Sequence, residues 1–75
     1  MHERVKLVIG SILDLDSHAI DESTTAEDTP TWDSMNHIKM IAALEDEFNV
    51  FFDVEEIQSL ASYSAIVRAL HSRGV

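Results

Sequence analysis

Two side chains are the first that could do chemistry. Ser34 and His37 stand three residues apart on one stretch of helical periodicity and are therefore neighbours. A serine and a histidine at that spacing are the types of a nucleophile and its base. The surroundings do not support that chemistry. No G-x-S-x-G elbow is present, no residue is placed to orient the histidine, and a chain this short offers no oxyanion pocket. No catalytic residue is therefore assigned. Metal chemistry is no better supplied. His2, His18, His37 and His71 are scattered, and there is no cysteine. Asp14-x-Asp16-x-His18 opens like a calcium loop, but Ala19 stands where glycine is needed and Thr25 where a bidentate glutamate is needed. No metal site is expected. What remains is Ser34 itself, the residue after Asp33 at a helix start. Free N–H groups and the positive dipole end make such a place suited to a phosphate. An ordinary first-turn serine would read the same way, and the local chemistry leaves both open.

The elements that must position this serine are few. The chain has 75 residues and a mass of 8.4 kDa, and it reads as one domain over residues 1–75. Surface scaling predicts roughly 4,600 Å² exposed after folding, with about 60% of the unfolded surface buried. A deep cavity between two lobes is not expected. Fourteen acids against five bases give a net charge of −9 with neutral histidines. That excludes nucleic acid and anionic membranes as natural partners and leaves basic proteins. Hydrophobic residues are 45% of the chain, too many for a disordered acidic tail. No apolar run approaches a membrane span, and Met1-His2-Glu3-Arg4 does not open a signal peptide. Without cysteine the fold rests on its apolar core, which suits a reducing cytoplasm.

Periodicity predicts a first helix from about Glu3 to about Leu15, with Val5, Val8, Ile9, Ile12 and Leu13 on its apolar face. A polar loop of about 16 residues follows, from Asp16 to Thr31, longer than most connections. Ile20 is expected to pin it to the core. Asp33 caps a second helix carrying Met35, Ile38, Ile41 or Ala42, Leu44 and Phe48, and Asn49 ends it. Val50-Phe51-Phe52 is read as a connection packed into the core. Asp53-Val54-Glu55-Glu56 has the form of a capping box and opens a short helix to Leu60; Ser62 caps a last helix from Tyr63 to about Ser72. The fold class is all-α: three main helices and one short one, with a long first loop. Leu44, Phe48, Phe52, Leu60, Ile66 and Val67 are the expected core.

Trp32-Asp33-Ser34-Met35, followed by Leu44-Glu45-Asp46-Glu47-Phe48, resembles the acyl carrier protein family of stand-alone type. The family's Asp-Ser-Leu opens the second helix, and here Met35 replaces the leucine with a similar apolar volume. The resemblance spans almost the whole chain in length, order of elements and sign of charge. It implies a small carrier bundle that is not an enzyme. It implies 4′-phosphopantetheine on Ser34, with Asp33 and Met35 flanking, attached by a phosphopantetheinyl transferase from coenzyme A. The arm's thiol would hold an acyl group as a thioester, or an aminoacyl or peptidyl group in the related carriers. An acyl- or aminoacyl-loading ligase and a downstream synthase or transferase are the implied partners. They would dock on the second helix, with Met35, Ile38 and Ala42 as the apolar stripe and Asp33, Glu45 and Asp46 as the acidic rim. Core packing is the competing role for Ile38 and Ala42. Lys39 and His37 interrupt the acidic face, so the partner surface is expected to be less uniformly basic than in fatty-acid synthesis. Trp32 points the same way, toward carriers of specialised pathways. A cytoplasmic monomer is expected. The alternative outside this class is an unmodified acidic interaction module.

Overall fold

The computed structural model describes residues 1–75. Four helices follow one another: α1 (His2–Leu13), α2 (Ser34–Phe48), α3 (Val54–Ser59) and α4 (Tyr63–His71), with a 3₁₀ turn at Ser17–Ala19. Three longer helices and one short one make up the expected all-α bundle. The exposed surface is 4613 Å², in line with the scaling expectation.

In α1, Val5, Ile9 and Leu13 recur every fourth residue and are fully buried. Val8 and Ile12 flank them half-buried. The helix stops at Leu13, two residues before the expected end. Asp14 takes the left-handed conformation (φ 58°, ψ 47°), and its N–H turns back to the Gly10 carbonyl. Leu15 N–H reaches the same carbonyl at 2.9 Å. This closing turn needs Gly10: a Cβ there would sit 2.5 Å from the Leu15 carbonyl oxygen. Arg4 Nε and Nη2 both donate to Glu47 Oε2 (2.9 and 2.8 Å), which ties α1 to α2.

The long loop is ordered by its own short polar side chains, which take the place of a helix or sheet ladder. Asp16 Oδ1 accepts from His18 N (2.9 Å), and Asp21 Oδ1 from Ser23 N (2.8 Å) and Ser23 Oγ (2.6 Å). These bonds hold both carboxyls below the usual aspartate range, the His18 and Ser23 contacts respectively leading. Ile20 is buried, as expected of the residue that pins the loop. A second anchor is a single bridge between Thr25 and Ser62, with Ala26 N donating to Ala61 O at 2.9 Å and Tyr63 N to Thr24 O at 3.0 Å. Trp32, also buried, is a third.

The rest follows its caps. Asp33 Oδ1 accepts from Asn36 N (2.8 Å), Asp53 Oδ1 from Glu56 N (2.8 Å) and Ser62 Oγ from Ala65 N (3.1 Å). Asn49 ends α2 in the left-handed conformation (φ 54°). The short helix stops at Ser59 and the last at His71, each one residue short of the expected end. Of the expected core, Leu44, Phe52, Leu60, Ile66 and Val67 are buried, but Phe48 is only half-buried, under the Arg4 guanidinium at 4.7 Å. Met40 and Ile41 join Leu44 on the inner face of α2. The connection splits: Phe52 turns in, whereas Phe51 is 84% exposed. The single peptide between them is held from two directions, because Phe52 N donates to Glu45 Oε2 at 2.9 Å and Phe51 O accepts from Arg73 Nε at 2.9 Å. No helix is long and apolar enough to cross a membrane.

Candidate functional site

Ser34 is the first residue of α2 and is exposed. Its position is set by the residues around it. Asp33 is extended (φ −94°, ψ −179°), caps Asn36 N through its side chain, and accepts from His37 N (2.8 Å) through its carbonyl. Asn36 Nδ2 donates back to Thr31 O at 2.9 Å, which closes the loop onto the helix start. The N–H groups of Ser34 and Met35 make no bond within the protein. They are the orphan donors of a helix N-terminus.

His37 has a different task from the one its spacing proposed. Its Nδ1 accepts from the indole Nε1–H of Trp32 at 2.9 Å. The proton must then lie on Nε2, which donates to the carbonyl of Ile57 in α3 at 2.8 Å. Both ring nitrogens are committed away from Ser34, so the serine–histidine dyad has no base. The histidine instead joins the loop, α2 and α3. Sequence reasoning missed this. The available clue was Trp32 itself, since a buried indole N–H needs an acceptor and His37 is close in sequence.

An open groove of about 380 Å³ runs beside Ser34. Trp32, Ile38 and Ile57 form its apolar walls, and Asp33, Ser34 and Gln58 lie at its polar side. The docking candidates separate by environment. Met35 and Ile38 are 68% and 61% exposed, and Ala42, Asp33 and Asp46 are exposed with them. Ile38 and Ala42 therefore do not pack in the core. Glu45 is half-buried, and one of its oxygens holds Phe52 N. No group of three His, Asp or Glu side chains is arranged to hold a metal ion.

No family model and no curated protein matches the sequence. Among solved structures, the holo acyl carrier protein of Nitrosomonas europaea, determined in solution by NMR, superposes with a TM-score of 0.82. The two share 26% identity over 96% of this chain and 93% of that one. This chain has the acyl carrier protein fold. The resemblance read from Trp32-Asp33-Ser34-Met35 and from the order of elements thus extends to three dimensions. On the acyl carrier fold, Ser34 occupies the exposed first turn of α2, and the groove lies between that turn and α3.

Proposed function

We propose that this chain carries an acyl group as a thioester on a 4′-phosphopantetheine arm attached to Ser34, and hands it to partner enzymes of lipid or specialised biosynthesis. The observation that supports the reading is the setting of Ser34: an exposed hydroxyl at the start of α2, beside a groove, in a fold shared with a holo acyl carrier protein. The site fits the group. Ser34 Oγ is accessible, the Ser34 and Met35 N–H groups are free to receive a phosphodiester, and no lysine, arginine or histidine is aimed at the hydroxyl. Ser34 Oγ attacks the phosphorus of coenzyme A that bears the pantetheine. The bond to the leaving phosphate breaks, adenosine 3′,5′-bisphosphate departs, and the serine proton passes to the transferase. The arm, once bound, supplies the thiol that this cysteine-free chain lacks.

The chain's own residues then present the serine and the docking surface. Asp33 holds the helix start, while Met35, Ile38 and Ala42 offer an apolar stripe beside Asp33 and Asp46. The partners are a phosphopantetheinyl transferase, a loading ligase and a downstream synthase or transferase, each with an apolar patch bordered by basic groups. In this reading the chain is not itself an enzyme, holds no metal, and acts as a cytoplasmic monomer, since a net charge of −9 on so small a body opposes self-association. Intact mass after incubation with coenzyme A and a broad-specificity transferase is the test. One phosphopantetheinyl addition is expected, and none in Ser34→Ala. An unmodified wild-type chain, under conditions that arm a control carrier, would leave the interaction-module reading in its place.

A further inference from the structure

The short helix α3 is fastened through two adjacent residues, Glu56 and Ile57, and that bears on what the groove beside Ser34 can hold. His37 Nε2–H donates to Ile57 O at 2.8 Å, and the same ring accepts from the buried Trp32 indole at 2.9 Å. Arg73 forms a bidentate pair with Glu56, one arm of it at 2.9 Å, and donates to Phe51 O, just before the helix, at 2.9 Å. The Arg73 guanidinium also lies 4.6 Å from the centre of the Phe52 ring. Both side chains of the Arg73–Glu56 pair are about three-quarters covered, so it is better shielded from salt than the exposed Arg4–Glu47 pair.

The core of the bundle is closed. Met40, Leu44, Ile66 and Leu70 are fully buried, and Phe52 belongs to the same core, with Ile57 of α3 packed against it. The one other hollow is a polar recess over the long loop, lined by Leu15, Thr24 and Pro30 among others, and it shares no residue with the groove. A long chain could enter the core only by moving α3 away from α2. That movement breaks the His37–Ile57 bond and disturbs the acceptor of a buried indole N–H, which is expensive to leave unmade. The groove can accept a small group without any such movement. Its walls of Trp32, Ile38 and Ile57 are already in place within reach of the serine's first turn.

From this we infer that the groove is a fixed, shallow seat for a short cargo, a small acyl or aminoacyl group, and that His37 is the positioning residue that keeps long alkyl chains out of the core. The inference rests on the carrier reading of Ser34 and adds the size class of the cargo. Its chemistry is that of a group of a few carbons lying against an indole and two isoleucines, with the Gln58 amide available to a polar substituent.

The experiment loads the chain with acetyl, butyryl and octanoyl arms from the corresponding coenzyme A thioesters, with intact mass confirming each product. Failure to load overturns the carrier reading, and the inference with it. Loading followed by the results below tests the inference alone. Trp32 is the only tryptophan, so its indole N–H gives a single resonance that reports on the His37 bond. In the wild type, Tm is expected to rise from the unacylated form to butyryl and no further to octanoyl. The indole proton should stay protected from exchange throughout. His37→Phe keeps a ring of similar size but has neither acceptor nor donor, and octanoyl is expected to raise its Tm above that of its butyryl form. A wild-type Tm that climbs again at octanoyl, or an indole proton that loses protection on octanoyl loading, overturns the inference. A folded His37→Phe protein whose octanoyl and butyryl forms melt together removes the role given to His37. If that variant does not fold, the wild-type series still decides whether long chains enter.

Discussion

Asp33 has two separable roles at Ser34, and two substitutions divide them. Its side-chain oxygen accepts from Asn36 N at 2.8 Å, at an exposed helix start. Asp33→Ala removes that cap and is expected to cost about 1 kcal/mol. For a domain of this size that lowers Tm by about 4–8 °C. Asp33→Asn keeps an oxygen in the same place and changes the cap by only a few tenths of a kcal/mol. It does remove a negative charge from the helix N-terminus, a loss of about 0.3–1 kcal/mol at low ionic strength that salt screens away. Thermal melts followed by circular dichroism, at low and high salt, should therefore place Asp33→Asn close to wild type in high salt and Asp33→Ala below it in both. Phosphopantetheinylation rates give the second readout. If Asp33 attracts a basic transferase, both variants are modified more slowly than wild type at low salt, and the gap narrows as salt rises. If it only positions Ser34, Asp33→Asn is modified at the wild-type rate. Equal Tm values for Asp33→Ala and wild type would refute the capping argument. An Asp33→Asn protein as unstable as Asp33→Ala would show that the capping oxygen is not what matters.

Three further outcomes follow from the geometry. Gly10→Ala improves helix propensity by about 0.8–1.0 kcal/mol, but its Cβ meets the Leu15 carbonyl at 2.5 Å; the forced shift costs about 1–3 kcal/mol, so Tm should fall, and a rise in the melt would refute the close-turn argument. Asp16 and Asp21 bind protons less readily folded than unfolded, so their contribution is fully present above about pH 3.9 and is lost as pH falls through each lowered folded value. The amide resonances of His18 and Ser23 should change in that acid window, and loop amides that stay unmoved there would count against the capping bonds. Glu45→Ala should lose about 1 kcal/mol by freeing Phe52 N, whereas Glu45→Gln keeps an acceptor and should melt near wild type; equal losses from the two in a thermal melt would show that charge, not the bond, is what Glu45 supplies.

The parts that were legible in the sequence are those set by local chemistry. Asp33, Asp53 and Ser62 announce helix starts because a short polar side chain before an apolar stripe can satisfy an N–H three residues on, and each does so. Asn49 announces an end because it tolerates the left-handed conformation. Ser34 was legible for the same reason: its place follows from Asp33. Features that depend on distant partners were hidden. The first helix ends early because Gly10 allows Leu15 to fold close, an event of packing rather than of periodicity. The loop is held by a bridge from Thr25 to Ser62, a pairing no local pattern contains. Periodicity grouped Met35 and Ile38 with Leu44 on one stripe, but it cannot say which side of a helix another helix covers. Contact with the rest of the bundle selects Met40, Ile41 and Leu44 for the interior and leaves Met35 and Ile38 outside.

The charge of −9 is less of a docking surface than it first looks. Glu47 holds Arg4, Glu56 holds Arg73, Glu45 holds a backbone N–H, and Asp16 and Asp21 order the loop. These acids are structural at least in part, and their fields are partly met by their own partners. Along α2 the outward residues Met35, Ile38, Ala42 and Asp46 follow one another at helical spacing, with Lys39 among them and Asp33 at the head. On the carrier reading proposed above, a partner that docks on this face would meet an apolar stripe with an acid near each end and a cation between. Selectivity would then come from position rather than from total charge. A uniformly basic partner would gain at Asp33 and Asp46 and lose at Lys39, so the matching surface would carry an acid or a gap opposite Lys39. On that reading the net charge would govern how fast a partner arrives, and the order of charges along α2 which partner stays.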